Sequence, residues 1–221
     1  MTPNQVTAAR VLAALAAVAL FTVKPDALAV DLAAVLLTIV AIALDGIDGY
    51  LARSRGLATP LGAQLDILGD RVVENLFFTC FAVSGLISLW VPVLFFVRGT
   101  ITDFIRGQAA RAGRSSFGGN SIVETRWGRS LVASRASRGA YAALKCTCFC
   151  YLGLMLPLRH LSAAWLVGEV QHSLLIAGWA ITAATVAFCL VRAIPVIWEG
   201  RRYFPVAGKA PNKRMAAAVV R

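Results

Sequence analysis

The chain has 221 residues, 58% of them hydrophobic and 15% charged, with 22 Lys and Arg against 11 Asp and Glu for a net charge of +11. A soluble domain carries about 25% charged residues, so this composition excludes an ordinary soluble globule and describes an integral membrane protein. Nucleic-acid binding is excluded as well, because the basic residues flank apolar runs and do not form a patch.

Taken in order, the first apolar run covers about 6–23. Together with Arg10 and Ala27-Leu28-Ala29 it mimics a secretory signal, but counted from Gln5 it is long enough to span, and its removal would leave five spans and an orientation conflict. The second run, 28–52, ends in a cluster of charge, and the third, 61–85, begins with one. The fourth, 88–110, carries Arg98, Asp103 and Arg106. The polar, Gly-rich stretch at 111–134 reads as a cytoplasmic loop whose second part is an amphipathic segment at the interface. The fifth run, 137–157, holds Cys146, Cys148 and Cys150, and the sixth covers 172–197. Those three thiols turn about 200° apart on a helix and cannot converge on one metal, so they read as small residues of a membrane helix. Each run is near the ~20 residues needed to cross ~30 Å of hydrocarbon. The expected fold is therefore all-α, six transmembrane helices in one bundle, with a membrane domain over 1–203 and a basic cytoplasmic tail over 204–221.

Lys and Arg placement sets the expected orientation. The connections near 24–28, 84–90 and 157–171 carry no net positive charge. By contrast, the 51–62 turn carries Arg53 and Arg55, the 106–138 stretch seven Arg, and the chain from Arg192 onward seven Lys or Arg. Both termini and the two basic turns should therefore be cytoplasmic, helped by attraction to anionic lipid.

The ends of the second and third runs carry the chemistry. Asp45, Asp48, Gly49, Ala52 and Arg53 are followed by Gly62, Asp66 and Asp70. At 100° per residue, Asp45, Asp48, Gly49 and Ala52 share one helix face, with Arg53 on its flank, while Gly62, Asp66 and Asp70 fall within about 80° of one another. Two helices joined by a short turn can thus present their carboxylates to each other, about 7–12 Å inward from Arg53. A charge at bilayer depth costs roughly 2.5–3.5 kcal/mol, and four close carboxylates stay ionised only beside cations. Hard oxygen ligands suit Mg²⁺, Mn²⁺ or Ca²⁺, and two such ions clamp a phosphoryl group in an in-line displacement. Two other readings stand beside this one. The Asp residues could pair structurally with Arg53, Arg55, Arg71 or Arg98, or they could line an ion or proton pathway.

The spacing Asp45-x2-Asp48-Gly49-x2-Ala52-Arg53-x8-Gly62-x3-Asp66-x3-Asp70 resembles the signature of the CDP-alcohol phosphatidyltransferase family, with every specified position filled. The start, with Pro3-Asn4, Thr7 and Arg10, is similar to the family's usual opening. The resemblance implies transfer of a phosphatidyl group from CDP-diacylglycerol, or a similar CDP-linked lipid, to the hydroxyl of a small alcohol with release of CMP. It implies that Asp45, Asp48, Asp66 and Asp70 hold two divalent ions, Mg²⁺ or Mn²⁺, with Asp70 also the general base. It further implies that Gly49, Ala52, Arg53 and Gly62 line the CMP moiety, that the active site lies at the cytoplasmic side, and that the protein is a homodimer.

The acceptor is read from other residues. Arg98 and Arg106 lie on a partly shared helix face, and Arg135, Arg138 and Lys145 follow three- and seven-residue spacing. Anchoring at the positive-inside surface competes for Arg106, Arg135 and Arg138, whereas Arg98 and Lys145 lie deeper. Arg98, Arg106, Arg138 and Lys145 are therefore expected to bind a phosphorylated acceptor such as glycerol 3-phosphate. The Gly-Lys-x-Lys-Thr pattern of glycerol-phosphate enzymes is absent. Ser137-Arg138-Gly139 and Lys145-Cys146 occupy the comparable region, which leaves inositol phosphate open as the alternative.

Overall fold

The computed structural model describes residues 3–23, 27–54, 59–111, 113–114, 122–165 and 169–203. The expected basic tail, Arg55 and the middle of the 111–134 loop lie outside these residues. Within them the chain is helical throughout, without strands: α1 (Pro3–Val23), α2 (Leu28–Ser54), α3 (Pro60–Val83), α4 (Trp90–Arg111), α5 (Arg126–Val132), α6 (Arg135–Trp165) and α7 (Glu169–Gly200), closed by a 3-10 turn at Arg201–Tyr203. The short α5 occupies the second part of the expected loop. α6 continues past Pro157, where the apolar run stops; a proline removes one helical N–H, and membrane helices accommodate that loss in neighbouring turns.

Among the described residues, four stretches are long and apolar enough to cross a membrane: Asn4–Thr22, Leu28–Ile47, Arg135–Leu158 and Val170–Tyr203. The two other long helices carry more charge, Asp66, Asp70, Arg71 and Glu74 in α3 and Arg98, Asp103, Arg106 and Arg111 in α4.

The chain divides into two units. The first comprises residues 1–95 and 144–184, and in it α1 packs against both α2 and α3. Its core is aromatic: Phe78 meets Phe95 at 4.3 Å and Phe149 at 4.9 Å between ring centroids, with Phe77 5.3 Å from Phe149. Two polar side-chain groups tie its elements together. Trp179 donates its indole N–H to the Leu86 carbonyl at 2.9 Å, and the Tyr151 hydroxyl donates to the Leu174 carbonyl at 2.8 Å.

The ends of α3 are fixed by local chemistry. Thr59 accepts the Gly62 N–H on its hydroxyl at 3.0 Å, and Pro60 follows at the first helical position, an N-cap and a preset φ acting together. At the other end Gly85 adopts φ +72°. The Leu86 N–H then reaches back to the Phe81 carbonyl and the Gly85 N–H to that of Ala82, the two bonds of a Schellman motif.

The second unit comprises residues 96–143 and 185–221. Ile105, Val123, Val132 and Val196 form its buried apolar cluster. Both ends of α5 are held by α7 there. Glu199 accepts the Glu124 N–H at 2.7 Å, the Thr125 N–H at 3.4 Å and the Thr125 hydroxyl at 2.5 Å. Arg192 donates to the carbonyls of Leu131 at 2.8 Å and Val132 at 3.3 Å. An acid thus meets the N-terminal N–H groups of α5 and a base its last carbonyls, the favourable pairing with a helix dipole at both ends.

Candidate active site

The first unit brings one end of three helices together. Arg10 lies seven residues into α1, Asp66 six residues into α3, and Asp45 nine residues before the end of α2. At 1.5 Å per residue these offsets are ~10, ~9 and ~13 Å, so antiparallel neighbours place the three side chains at one depth.

There Asp45, Asp66 and Asp70 each offer a carboxylate oxygen, and these oxygens lie within 4.8 Å of one another. Into the cluster projects Arg10, whose side chain is only 1% exposed against 44–50% for the three carboxylates. Its Nη1 pairs with Asp45 Oδ1 and lies 3.2 Å from Asp70 Oδ1. Its Nη2 lies 3.6 Å from Asp66 Oδ1 and donates to the Asp66 carbonyl at 3.3 Å. A buried guanidinium in an apolar helix is tolerated because carboxylates surround it, and the outer sides of those carboxylates stay open.

Two glycines keep these helices close. A Cβ at Gly69 would meet Arg10 Nη2 at 2.7 Å and the Thr7 methyl at 2.9 Å. At Gly62 it would meet the Thr59 hydroxyl at 3.0 Å and the Asn4 side-chain oxygen at 3.2 Å, so this glycine has a packing duty of its own.

One turn beyond Asp70, Glu74 is buried at 1% exposure and binds Arg71 Nη1 at 2.9 Å and Lys145 Nζ at 3.4 Å. Lys145 of α6 is thereby docked about one helical turn from Asp70. The side chains of Asp48, Gly49, Ala52 and Arg53 lie outside the described residues. Arg98, Arg106 and Arg138 belong to the second unit. In it Arg98 is buried, Arg106 pairs with Asp103 at 3.1 Å, and the Arg138 backbone N–H donates to the Ser134 carbonyl.

Sequence reasoning looked for cationic partners of the Asp residues at Arg53, Arg55, Arg71 and Arg98. Among the described residues the partner is Arg10, and Arg71 pairs with Glu74. A lone Arg inside an otherwise apolar first span was the available signal, together with its depth. The donor set itself, three clustered carboxylate oxygens, fits a hard divalent cation, so the cluster could hold a metal ion.

An archaetidylinositol phosphate synthase of Aeropyrum pernix is 31% identical over 81 residues, which are 37% of this chain and 41% of that protein. The aligned part is thus less than half of the relative's length. A solved structure of Mycobacterium tuberculosis phosphatidylinositol phosphate synthase with CDP-DAG bound aligns over 89% of this chain and 86% of its own, at 21% identity and a TM-score of 0.46. The family model for CDP-alcohol phosphatidyltransferase matches residues 1–191. With that match over most of its length, the chain belongs to the CDP-alcohol phosphatidyltransferase family.

Proposed function

We propose that the protein transfers a phosphatidyl-type group from a CDP-linked lipid such as CDP-diacylglycerol to the hydroxyl of a small phosphorylated alcohol, releasing CMP. The observation that carries this reading is the convergence of Asp45, Asp66 and Asp70, within 4.8 Å of one another, in a chain of this family. Asp45, Asp48, Asp66 and Asp70 would hold divalent ions, two Mg²⁺ or Mn²⁺. When bound, such ions neutralise phosphate charge and polarise the phosphoryl oxygens. Gly49, Ala52, Arg53 and Gly62 line the CMP moiety in this reading.

The protein's own part is positional and protolytic. The acceptor hydroxyl oxygen forms a bond to the lipid-bearing phosphorus, and the bond from that phosphorus to the bridging diphosphate oxygen breaks. CMP leaves with the electron pair, and the hydroxyl proton passes to the Asp70 carboxylate. A positioned general base is worth roughly 100- to 10,000-fold. Asp70 is the choice because it stands one helical turn from Glu74, on which Lys145 docks. Lys145 there is suited to the acceptor's phosphate.

Inositol phosphate is favoured over glycerol 3-phosphate as acceptor by the name of the archaeal relative and by the missing Gly-Lys-x-Lys-Thr pattern. In the membrane we infer six spans with α3 and α4 included, both termini and the active site cytoplasmic, residues 1–203 as the membrane domain and 204–221 as a tail. The working form is inferred to be a homodimer.

The test is CMP release by the purified protein from CDP-diacylglycerol with Mg²⁺ or Mn²⁺, across a panel containing inositol phosphate, glycerol 3-phosphate, free inositol and serine. Release is expected with a phosphorylated acceptor, to vanish with EDTA, and to drop at least about 100-fold in Asp70→Asn. An Asp70→Asn protein as active as the original removes the general base assigned here. No CMP with any acceptor removes the reaction.

A further inference from the structure

We propose that Arg10 is the resident counter-ion of the Asp45–Asp66–Asp70 cluster, a side chain that a divalent cation must displace in order to bind. The proposal rests on the reading of that cluster as a metal site. The guanidinium holds the carboxylates in the metal-free protein and yields them when metal enters.

Three observations carry it. First, Arg10 addresses the same three carboxylates that a metal would take. Its Nη1 is on the Oδ1 oxygens of Asp45 and Asp70, and its Nη2 is beside Oδ1 of Asp66; the oxygens clustered within 4.8 Å come from these three carboxylates. Second, the side chain is 1% exposed, so it is committed to the cluster and does not reach water. A metal that takes these carboxylates therefore requires the guanidinium to move. Third, the slot is shaped for it, because a single Cβ at Gly69 would come 2.7 Å from Nη2.

Charge points the same way. With Arg10 in place the three carboxylates and the guanidinium sum to −2; without it the carboxylates sum to −3 and would repel one another. A cation-free protein lacking Arg10 should be less stable, and its appetite for a divalent ion greater. The opposite role, a brace that presets the carboxylates for metal, predicts the opposite sign: removing Arg10 would then weaken metal binding.

The experiment titrates Mn²⁺ into EDTA-stripped, full-length protein in detergent, without nucleotide or lipid substrate. Bound metal is read by the loss of the free-Mn²⁺ paramagnetic resonance signal, for the original protein, Arg10→Lys and Arg10→Gln. Thermal unfolding is followed in EDTA and in Mn²⁺. Arg10→Gln is expected to bind Mn²⁺ at least about tenfold more tightly, to melt lower in EDTA, and to gain more from Mn²⁺ than the original protein does. Arg10→Lys, with a compact charge that cannot fork across three carboxylates, should fall between the two, and it decides alone if Arg10→Gln does not fold. Unchanged or weaker Mn²⁺ binding in the variants overturns the counter-ion role while leaving the metal site standing. An original protein that takes up no Mn²⁺ overturns both.

Discussion

At the scale of single residues, the contact between α1 and α3 is set by a side chain that is missing. Gly69 faces Arg10 and Thr7 so closely that a methyl group would sit 2.7 Å from a guanidinium nitrogen and 2.9 Å from a methyl carbon. Gly69→Ala should therefore push α1 off α3 and disturb the seating of Asp66 and Asp70 on α3, at a cost of about 1–3 kcal/mol for an overpacked site. The expected outcome is a lowered melting temperature together with a loss of CMP release. Gly107→Ala in α4 is the control, since nothing lies within 4 Å of a Cβ there and alanine is the better helix former by up to ~1 kcal/mol; its melting temperature should hold or rise. A Gly69→Ala protein as stable and active as the original would mean that the helices have slack the geometry does not show. None of this was readable along the chain. The Asp spacing announces a shared face because it is local, whereas the meeting of Arg10 with Asp45 and Asp70 spans 35 and 60 residues and exists only after α1 has packed.

Among the elements, α5 has the least intrinsic reason to be a helix. It has seven residues, Arg126–Val132, well under the ~12–15 at which an isolated helix becomes even marginal in water, and its N-cap Thr125 makes no side-chain cap bond. What it lacks is supplied by α7. Glu199 and Arg192 stand seven residues apart, about 10.5 Å along the helix, which matches the length of a seven-residue helix. Replacing Glu199 by Ala leaves the Glu124 and Thr125 N–H groups without their acceptor, a loss of roughly 1–3 kcal/mol. Amide hydrogen exchange at Glu124 and Thr125 should then quicken by about tenfold or more, tenfold being ~1.4 kcal/mol. Arg192→Met should loosen the same helix from its other end. Because both side chains hold one element, the double variant should lose less stability than the sum of the singles. Strict additivity would show that the two ends act independently. The chain announced this segment as the amphipathic second part of a polar, Gly-rich loop, and the long helices by apolar runs of spanning length. It could not announce the clamp, since Glu199 and Arg192 look in sequence like charges at the cytoplasmic end of a span.

For the whole molecule, the path across the bilayer turns on α3 and α4. Large apolar side chains stand outward on many faces, Leu12 at 65%, Leu36 at 62%, Phe96 at 61% and Trp179 at 62% exposure, a surface that suits lipid and would be a liability in water. Composition alone marks α1, α2, α6 and α7 as spans, and α3 and α4 fall short because of the charges that build the site. The charges themselves argue that α3 spans. Asp66 and Asp70 meet Arg10 of α1, and Glu74 meets Arg71 and Lys145, so each of the four groups that depress its hydropathy has an oppositely charged partner within the protein. Its C-terminal half, Val72 to Val83, is apolar apart from Glu74, Asn75 and Thr79. If α3 and α4 both cross, Ser88 in the turn between them and Ser130 in α5 must face opposite sides. Single cysteines at these two positions, in a background without the five native cysteines, would be exposed to a membrane-impermeant maleimide in sealed vesicles of known orientation. Ser130→Cys is expected to label from the cytoplasmic side, where the Arg-rich stretch belongs, and Ser88→Cys only from the other. Labelling of both from one side would reduce the spans to four and leave the carboxylate cluster on a re-entrant α3, buried against α1 but closed off at its far end.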